Sequence, residues 1–364
     1  MSRNIFFVSF LLSALTLCAQ TVAPQGTVIK PTDPNIQYIG RIEDSNSERP
    51  VFTFPGVQIR TGFTGTSLQM MAKPYSGYFM AQIDEGEAFK VSFFNTSDSI
   101  VTLATALPQG IHQAKVMYVG EGYERLPEFR GFIVDQGQAL APAPALPDRR
   151  IEFIGNSITC GYGVEATDAN APYLEATANH YHTYAAITAR RLDAQHLVVA
   201  RSGIGVYRNY NGLRTGDAVN MNTEYPHTLL YNKEYLWDFS RYTPQVVCIN
   251  LGTNDTSTTG ADPKLLLKGY QDLYRQVRSH YPDAKIVFLC GCMMRGETDL
   301  PTAQKAMDTV VAKAHQQGDS EVYRFDFTPQ TGDLGYGASW HPSIRQHQKM
   351  ADELTPYLRE LMQW

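Results

Sequence analysis

A chain of 364 residues that is 43% hydrophobic and 18% charged can form one large domain or two ordinary ones with a sizeable core, which excludes a disordered protein. Lys and Arg number 31 against 36 Asp and Glu, a formal net charge of -5, so the excess of positive charge that nucleic-acid binding requires is missing. Few charges together with 21 Tyr and 17 Phe suit a neutral, hydroxyl-rich ligand better than an ionic one.

Arg3 precedes an apolar run from Ile5 to Leu17. That run is short of the roughly 20 residues a membrane-spanning helix needs, and it fits the core of a signal peptide. Cleavage after Ala19 is expected, giving residues 1–19 as signal peptide and 20–36 as linker. The product is expected to be secreted or periplasmic, with no membrane span after cleavage. Lipid attachment at Cys18 is disfavoured, because Leu17 stands where a small residue belongs.

Residues 37–138 read as β-structure. Short alternating runs recur near Val57–Ile59, Met80–Asp84, Lys90–Phe93 and Ile111–Tyr118, separated by turn residues such as Asp84-Glu85-Gly86-Glu87. Spacing near ten residues predicts an all-β sandwich of jelly-roll type. Alternating prolines in the Pro/Ala-rich stretch 139–148 predict a stiff, extended connector.

From residue 149 to 364 strands and helices alternate. Strands are predicted at Ile151–Ile154, His196–Ala200, Val246–Leu251, Lys285–Leu289 and Glu321–Phe325. Helices are predicted near 180–193, 262–279 and 301–317, with a last one from Ser343. Continuous apolar runs suit strands buried on both faces of a parallel sheet, so a three-layer α/β domain is expected. Ser343-Ile344-Arg345-Gln346 reads as a capping box, and Met350, Leu354, Leu358 and Met362 mark the core face of the last helix. Cys160, Cys248, Cys290 and Cys292 are expected as buried free thiols; Cys290-Gly-Cys292 has no neighbouring His and is read as structural.

Four short blocks stand where strands end, the place at which open α/β sheets carry reactive groups. Gly155-Asn156-Ser157 opens a turn into a helix, whose N-terminus offers free amides. Thr159 keeps it from being a G-x-S-x-G elbow, and a plain helix cap is the competing structural reading. Ser202-Gly203-Ile204-Gly205 lets backbone come close to a ligand or forms an ordinary turn. In Gly252-Thr253-Asn254-Asp255 the Asn254 amide can donate to a developing oxyanion. In Trp340-His341-Pro342-Ser343 the imidazole is fixed by the proline and cap that follow. Together they supply a nucleophile, oxyanion donors and a base.

These four blocks resemble those of the SGNH (GDSL-like) hydrolases, and the whole chain from about 37 resembles carbohydrate esterase family 2, in which a jelly-roll sandwich precedes that hydrolase domain. The resemblance implies a secreted serine esterase that removes O-acetyl groups from xylan, glucomannan or derived oligosaccharides. It implies Ser157 as nucleophile, His341 as base, and the Ser157 amide, the Gly205 amide and the Asn254 side chain as oxyanion hole. Asn156 stands where many members have Asp. Ser339 stands two residues before His341, where an Asp often orients the base, so Ser339 or a main-chain carbonyl near it must do so; Asp326 and Asp333 are further candidates. Trp340, Tyr162, Tyr207 and Tyr210 are candidate sugar-stacking residues. No cofactor or metal is expected: His180-x-His182 has no completing ligands in sequence. Competing functions are a non-catalytic carbohydrate-binding protein on the same scaffold and a lipase or thioesterase; the latter would want an apolar acyl groove, whereas Tyr, Asn and Gly surround the blocks.

Overall fold

The computed structural model describes residues 25–94 and 99–364. The signal peptide expected at 1–19 lies outside the described residues.

Two antiparallel sheets make up the first half. One has four strands in the order Thr27–Ile29, Phe129–Val134, Leu68–Ala72, Ile100–Ala104. The other runs Leu140–Ala141, Gln58–Gly65, Gly110–Tyr118, Gly77–Ile83, Phe89–Phe93, with Gln37–Ile39 also pairing on Gln58–Gly65. Phe63 and Phe79 from the second sheet pack with Leu68, Met70, Leu103 and Phe132 from the first, so one shared core makes this a sandwich. The sandwich starts earlier and ends later than expected. Thr27–Ile29, placed in the linker from sequence, pairs with Phe132–Val134, and Leu140–Ala141 of the connector pairs with Gly62 and Phe63. A three-residue and a two-residue edge strand are too short to show any periodicity.

The second half is a five-stranded parallel sheet in the order Ala194–Ala200, Arg149–Gly155, Val246–Asn250, Lys285–Cys290, Val322–Asp326. Side chains alternate between its faces. Ile151, Phe153, Val246, Cys248, Val287 and Leu289 meet Met350, Leu354 and Leu358 of the helix Ile344–Met362. Ile154, Val247, Ile249, Ile286 and Phe288 meet the helices Pro263–His280 and Asp299–Gln316 through residues such as Leu266, Leu273, Met307 and Val310. Both faces are covered, which is why the strands read as continuous apolar runs. The four cysteines are buried and free. The capping box at the last helix forms only in part. Ser343 Oγ accepts from the Gln346 amide at 3.2 Å, but the return bond from the Ser343 amide to the Gln346 side-chain oxygen does not form, and the Gln346 side chain is buried.

The two halves interlock through Arg41. This sandwich residue is fully buried and donates to the carbonyls of Tyr225 and His227 and to Glu152 Oε1, 3.3 Å away, on the strand Arg149–Gly155 of the parallel sheet. Its guanidinium lies 5.0 Å from the ring of Tyr225, 5.2 Å from Phe239 and 5.4 Å from Trp237. Desolvation pushes the Glu152 carboxyl up, and Arg41 only partly offsets it. The Thr53 hydroxyl, accepting from the Leu230 amide at 2.7 Å, adds a second tie between the halves.

Candidate active site

Ser157 is the first residue of a one-turn helix, Ser157–Cys160, set directly on the strand Arg149–Gly155. Asn156 caps it, its side-chain oxygen accepting from the Ile158 amide at 3.0 Å. Gly155 is required here: a Cβ at that position would lie 2.0 Å from Thr159 Oγ1, so any side chain would force the helix off the strand end. The turn holds Ser157 with 7% exposure, its hydroxyl at the floor of a cavity of about 460 Å³.

His341 faces it across that cavity, with Nε2 2.9 Å from Ser157 Oγ. Its Nδ1 lies 3.1 Å from the carbonyl oxygens of both Ala338 and Ser339. Carbonyls only accept, so the proton sits on Nδ1, and Nε2 is left free to accept from the serine hydroxyl. Burial pushes the imidazole down to about 4, against the pull of the two carbonyls. The Tyr162 ring stacks on His341 at 4.3 Å, and Tyr173 packs against Tyr162 at 4.5 Å.

The carbonyls converge because Ser339 and Trp340 are both left-handed, with φ of 49° and 62°. Two adjacent side-chain-bearing residues in that region are strained. The strain is held from outside: the amides of Ala338, Ser339 and Trp340 donate to the carbonyls of Gly163, Ala171 and Ala169, and Gln330 Nε2 donates to the Trp340 carbonyl. Ser339 therefore supplies its main chain to His341, while its hydroxyl points to the Ala171 carbonyl at 3.5 Å. Asp333 accepts from Thr331 and Asp326 from Arg324 and Gln304; neither reaches the imidazole.

Asn254 lies in the short helix Thr253–Thr256 at the end of the strand Val246–Asn250 and lines the cavity. One hydrogen of its amide goes to the Ile204 carbonyl at 2.7 Å, which fixes the group and leaves the second hydrogen for the cavity. The expected donor Gly205 is corrected. Its amide already donates to Asn209 Oδ1 at 3.2 Å, and a Cβ there would strike the Arg208 carbonyl at 1.8 Å, so it is packed within the loop. Gly203 lines the cavity instead, at φ 78°, with open space beside its Cα and no acceptor for its amide among the described residues. Two glycines stand two residues apart in that block, and only the backbone conformation distinguishes them.

Among the candidate stacking residues, Tyr162 and Tyr210 line the cavity, the latter 57% exposed. Trp340 is half-exposed, packs beside Tyr336 and is not part of the cavity lining. Tyr207 is corrected: it is buried, and its hydroxyl accepts from the Asp262 amide at 2.8 Å, which makes it a packing residue. His180 is buried too, with Nδ1 on the Thr159 carbonyl and Nε2 3.2 Å from His196 Nε2. No group of three or more metal-ligating side chains occurs among the described residues.

Several functional residues carry no sequence signal of their own. Asp255 is fully buried and accepts from the amides of Val206, Tyr207 and Arg208 at 2.9–3.1 Å, and so shapes the loop that bears Gly203. Arg208 returns to the carbonyls of Asp255, Ser257 and Gly260. Met293, Met294, Arg295 and Asp299 form the far wall of the cavity.

A sandwich joined to a parallel α/β domain, with a serine hydroxyl, an imidazole and an Asn amide brought together at the strand ends, is the framework of an ester hydrolase. Comparison with known proteins makes the class specific. Residues 38–144 match the carbohydrate esterase 2 N-terminal domain, and residues 153–349 match the GDSL-like lipase/acylhydrolase family. The chain belongs to the GDSL-like family, in the two-domain form of carbohydrate esterase family 2. It is 38% identical over 332 residues to the cellulase/esterase CelE of Acetivibrio thermocellus, a match covering 91% of this chain but only 40% of that relative. It is 28% identical over 362 residues to an acetylxylan esterase / glucomannan deacetylase of Cellvibrio japonicus, covering 98% and 97% of the two chains. A family two carbohydrate esterase from Clostridium thermocellum, solved in complex with cellohexaose, has a TM-score of 0.82 at 38% identity over 90% of this chain and 99% of that one.

Proposed function

We propose that the protein is an exported esterase that removes O-acetyl groups from plant cell-wall polysaccharides such as xylan and glucomannan, or from their oligosaccharides. The observation that carries this reading is the 2.9 Å contact of Ser157 Oγ with an imidazole whose other nitrogen is held by two carbonyls. Ser157 Oγ attacks the acetyl carbonyl carbon as His341 Nε2 takes its proton. The tetrahedral oxyanion receives hydrogen bonds from the amides of Ser157 and Gly203 and from Asn254 Nδ2. The bond to the sugar oxygen then breaks, and His341 returns the proton to that oxygen. Water, deprotonated by His341, attacks acetyl-Ser157 and releases acetate with the free hydroxyl restored on Ser157. No cofactor or metal enters this scheme.

The sugar-binding half of the proposal rests on the open, tyrosine-edged cavity and on the cellohexaose held by a relative. A cavity whose walls mix Ser, Thr, Asn and Tyr with two methionines suits a short acyl group on a sugar better than a lipid chain. Export rests on the apolar run Ile5–Leu17; no helix among the described residues is long and apolar enough to cross a membrane. Acetate release from acetylated xylan and glucomannan, with acetyl and octanoyl 4-nitrophenyl esters alongside, tests the reading. Preference for octanoyl would point to a lipase, and binding of the glycans with no turnover of any ester would point to a carbohydrate-binding protein.

A further inference from the structure

We propose that Glu121, a residue of the sandwich domain, is a positioning residue for the oxyanion hole of the hydrolase domain. This rests on the esterase reading above. Glu121 lies just beyond the strand Gly110–Tyr118 and is 6% exposed. Both of its carboxylate oxygens are aimed at one residue of the other domain. Oε1 accepts from the Ser202 amide at 2.7 Å, and Oε2 accepts from the Ser202 hydroxyl at 2.5 Å. Tyr123 of the sandwich donates its hydroxyl to Oε1 at 2.7 Å and fixes the carboxylate from its own side.

Ser202 is the residue before Gly203, and both line the catalytic cavity. Clamping its amide and hydroxyl holds its φ and side-chain torsion. With the Gly203 carbonyl held by the Tyr210 amide on the far side, the peptide between them, whose N–H is that of Gly203, is left with little freedom to turn. The rest of the loop is anchored elsewhere: Asp255 takes the amides of residues 206–208, and the Gly203 carbonyl accepts from the Tyr210 amide at 2.9 Å. A glycine at φ 78° with open space around it has the freest backbone in the loop, so the peptide that needs the most precise orientation gets least help from its own residue. Glu121 supplies that constraint. Docking of the domains does not need it, since Arg41, Thr53, the ion pair of Arg241 with Asp44 and that of Lys90 with Glu165 all bridge them. A carboxylate in a buried interface is costly unless it is well paired, and here the pairing is spent on the catalytic loop.

The test uses the full chain with 4-nitrophenyl acetate and with methylboronic acid, which bonds to the serine and places a hydroxyl in the oxyanion hole. Turnover by the native protein is read first; its absence would defeat the esterase reading itself. Glu121→Ala and the volume-keeping Glu121→Leu are then expected to lower kcat about 10- to 100-fold with KM within about threefold, as for a donor displaced but not deleted. Boronate affinity should fall in parallel. Glu121→Gln, which keeps one carbonyl acceptor, should recover most of the loss. Should Glu121→Ala fail to fold, Glu121→Leu carries the test. Native kcat and native boronate affinity in a folded Glu121→Leu protein, or a loss confined to KM, would overturn the proposal.

Discussion

The Nδ1 of His341 sits 3.1 Å from the carbonyl oxygen of Ser339, in the place where a carboxylate would stand in a serine–histidine–aspartate triad. The Ala338 carbonyl shares the contact at the same distance. Two neutral dipoles thus fix the tautomer, and they do so from a strained turn whose amides are bound on the outside. A consequence is that the Ser339 side chain is dispensable. Ser339→Ala should keep kcat within about threefold of native, less than 1 kcal/mol in the barrier. Steady-state kinetics on an acetyl ester check this, and a tenfold or larger loss would return the orienting role to the hydroxyl.

Asn254 is held by the Ile204 carbonyl with one hydrogen still available to the cavity. Asn254→Ala should lower kcat by about 10²–10³ with little change in KM, the signature of a donor that acts on the transition state. A rise in KM with native kcat would make it a ground-state binding residue instead.

The imidazole of His341 is pushed down to about 4 by burial. The neutral form is the base, so kcat/KM should be flat above the ordinary histidine range and fall as the pH drops through about 4. An acid limb centred near 6.5 would contradict the enclosed site. Stability should move in the same direction. His180 is pushed down to about 4 and His347 to about 3, both by burial, so the unfolded chain binds more protons than the native one between those values and 6.5. Their contribution is fully present above pH 6.5 and is lost as the pH falls through 4 to 3. Denaturant midpoints measured between pH 7 and 4 should decline, and His347→Gln should flatten the decline.

Arg41 and Glu152 are both fully buried. Removing one partner strands the other charge, so Arg41→Met should cost about 3–5 kcal/mol of stability. Adding Glu152→Gln to Arg41→Met should give back part of that loss, because the stranded carboxylate is then gone. Equilibrium unfolding of Arg41→Met, Glu152→Gln and the double variant decides it; strictly additive losses would show that the two charges do not interact.

Much of this arrangement is legible in the sequence. The parallel strands are apolar on both faces, so Ile151–Ile154 and Val246–Leu251 stand out, and Ser157, Asn254 and His341 each follow a strand or precede a capped helix. What is not legible depends on contacts across long separations. The choice of Gly203 over Gly205 turns on the sign of φ and on Asn209. The orienting carbonyls at Ala338 and Ser339 carry no side-chain signature. Tyr207 and Tyr210 have the same residue type and similar spacing from the motif, yet one is buried under Asp262 and the other open to the cavity. Glu121 is 81 positions from the serine it clamps.

Rapid-quench mass spectrometry of the protein mixed with an acetyl ester reads the covalent step at Ser157 itself. One acetyl group is expected on the peptide that contains Ser157, formed and lost at rates that match turnover, with neither acetylation nor turnover in Ser157→Ala. Steady turnover by Ser157→Ala at a near-native rate, or an acetyl group trapped on another residue at a competent rate, would contradict it.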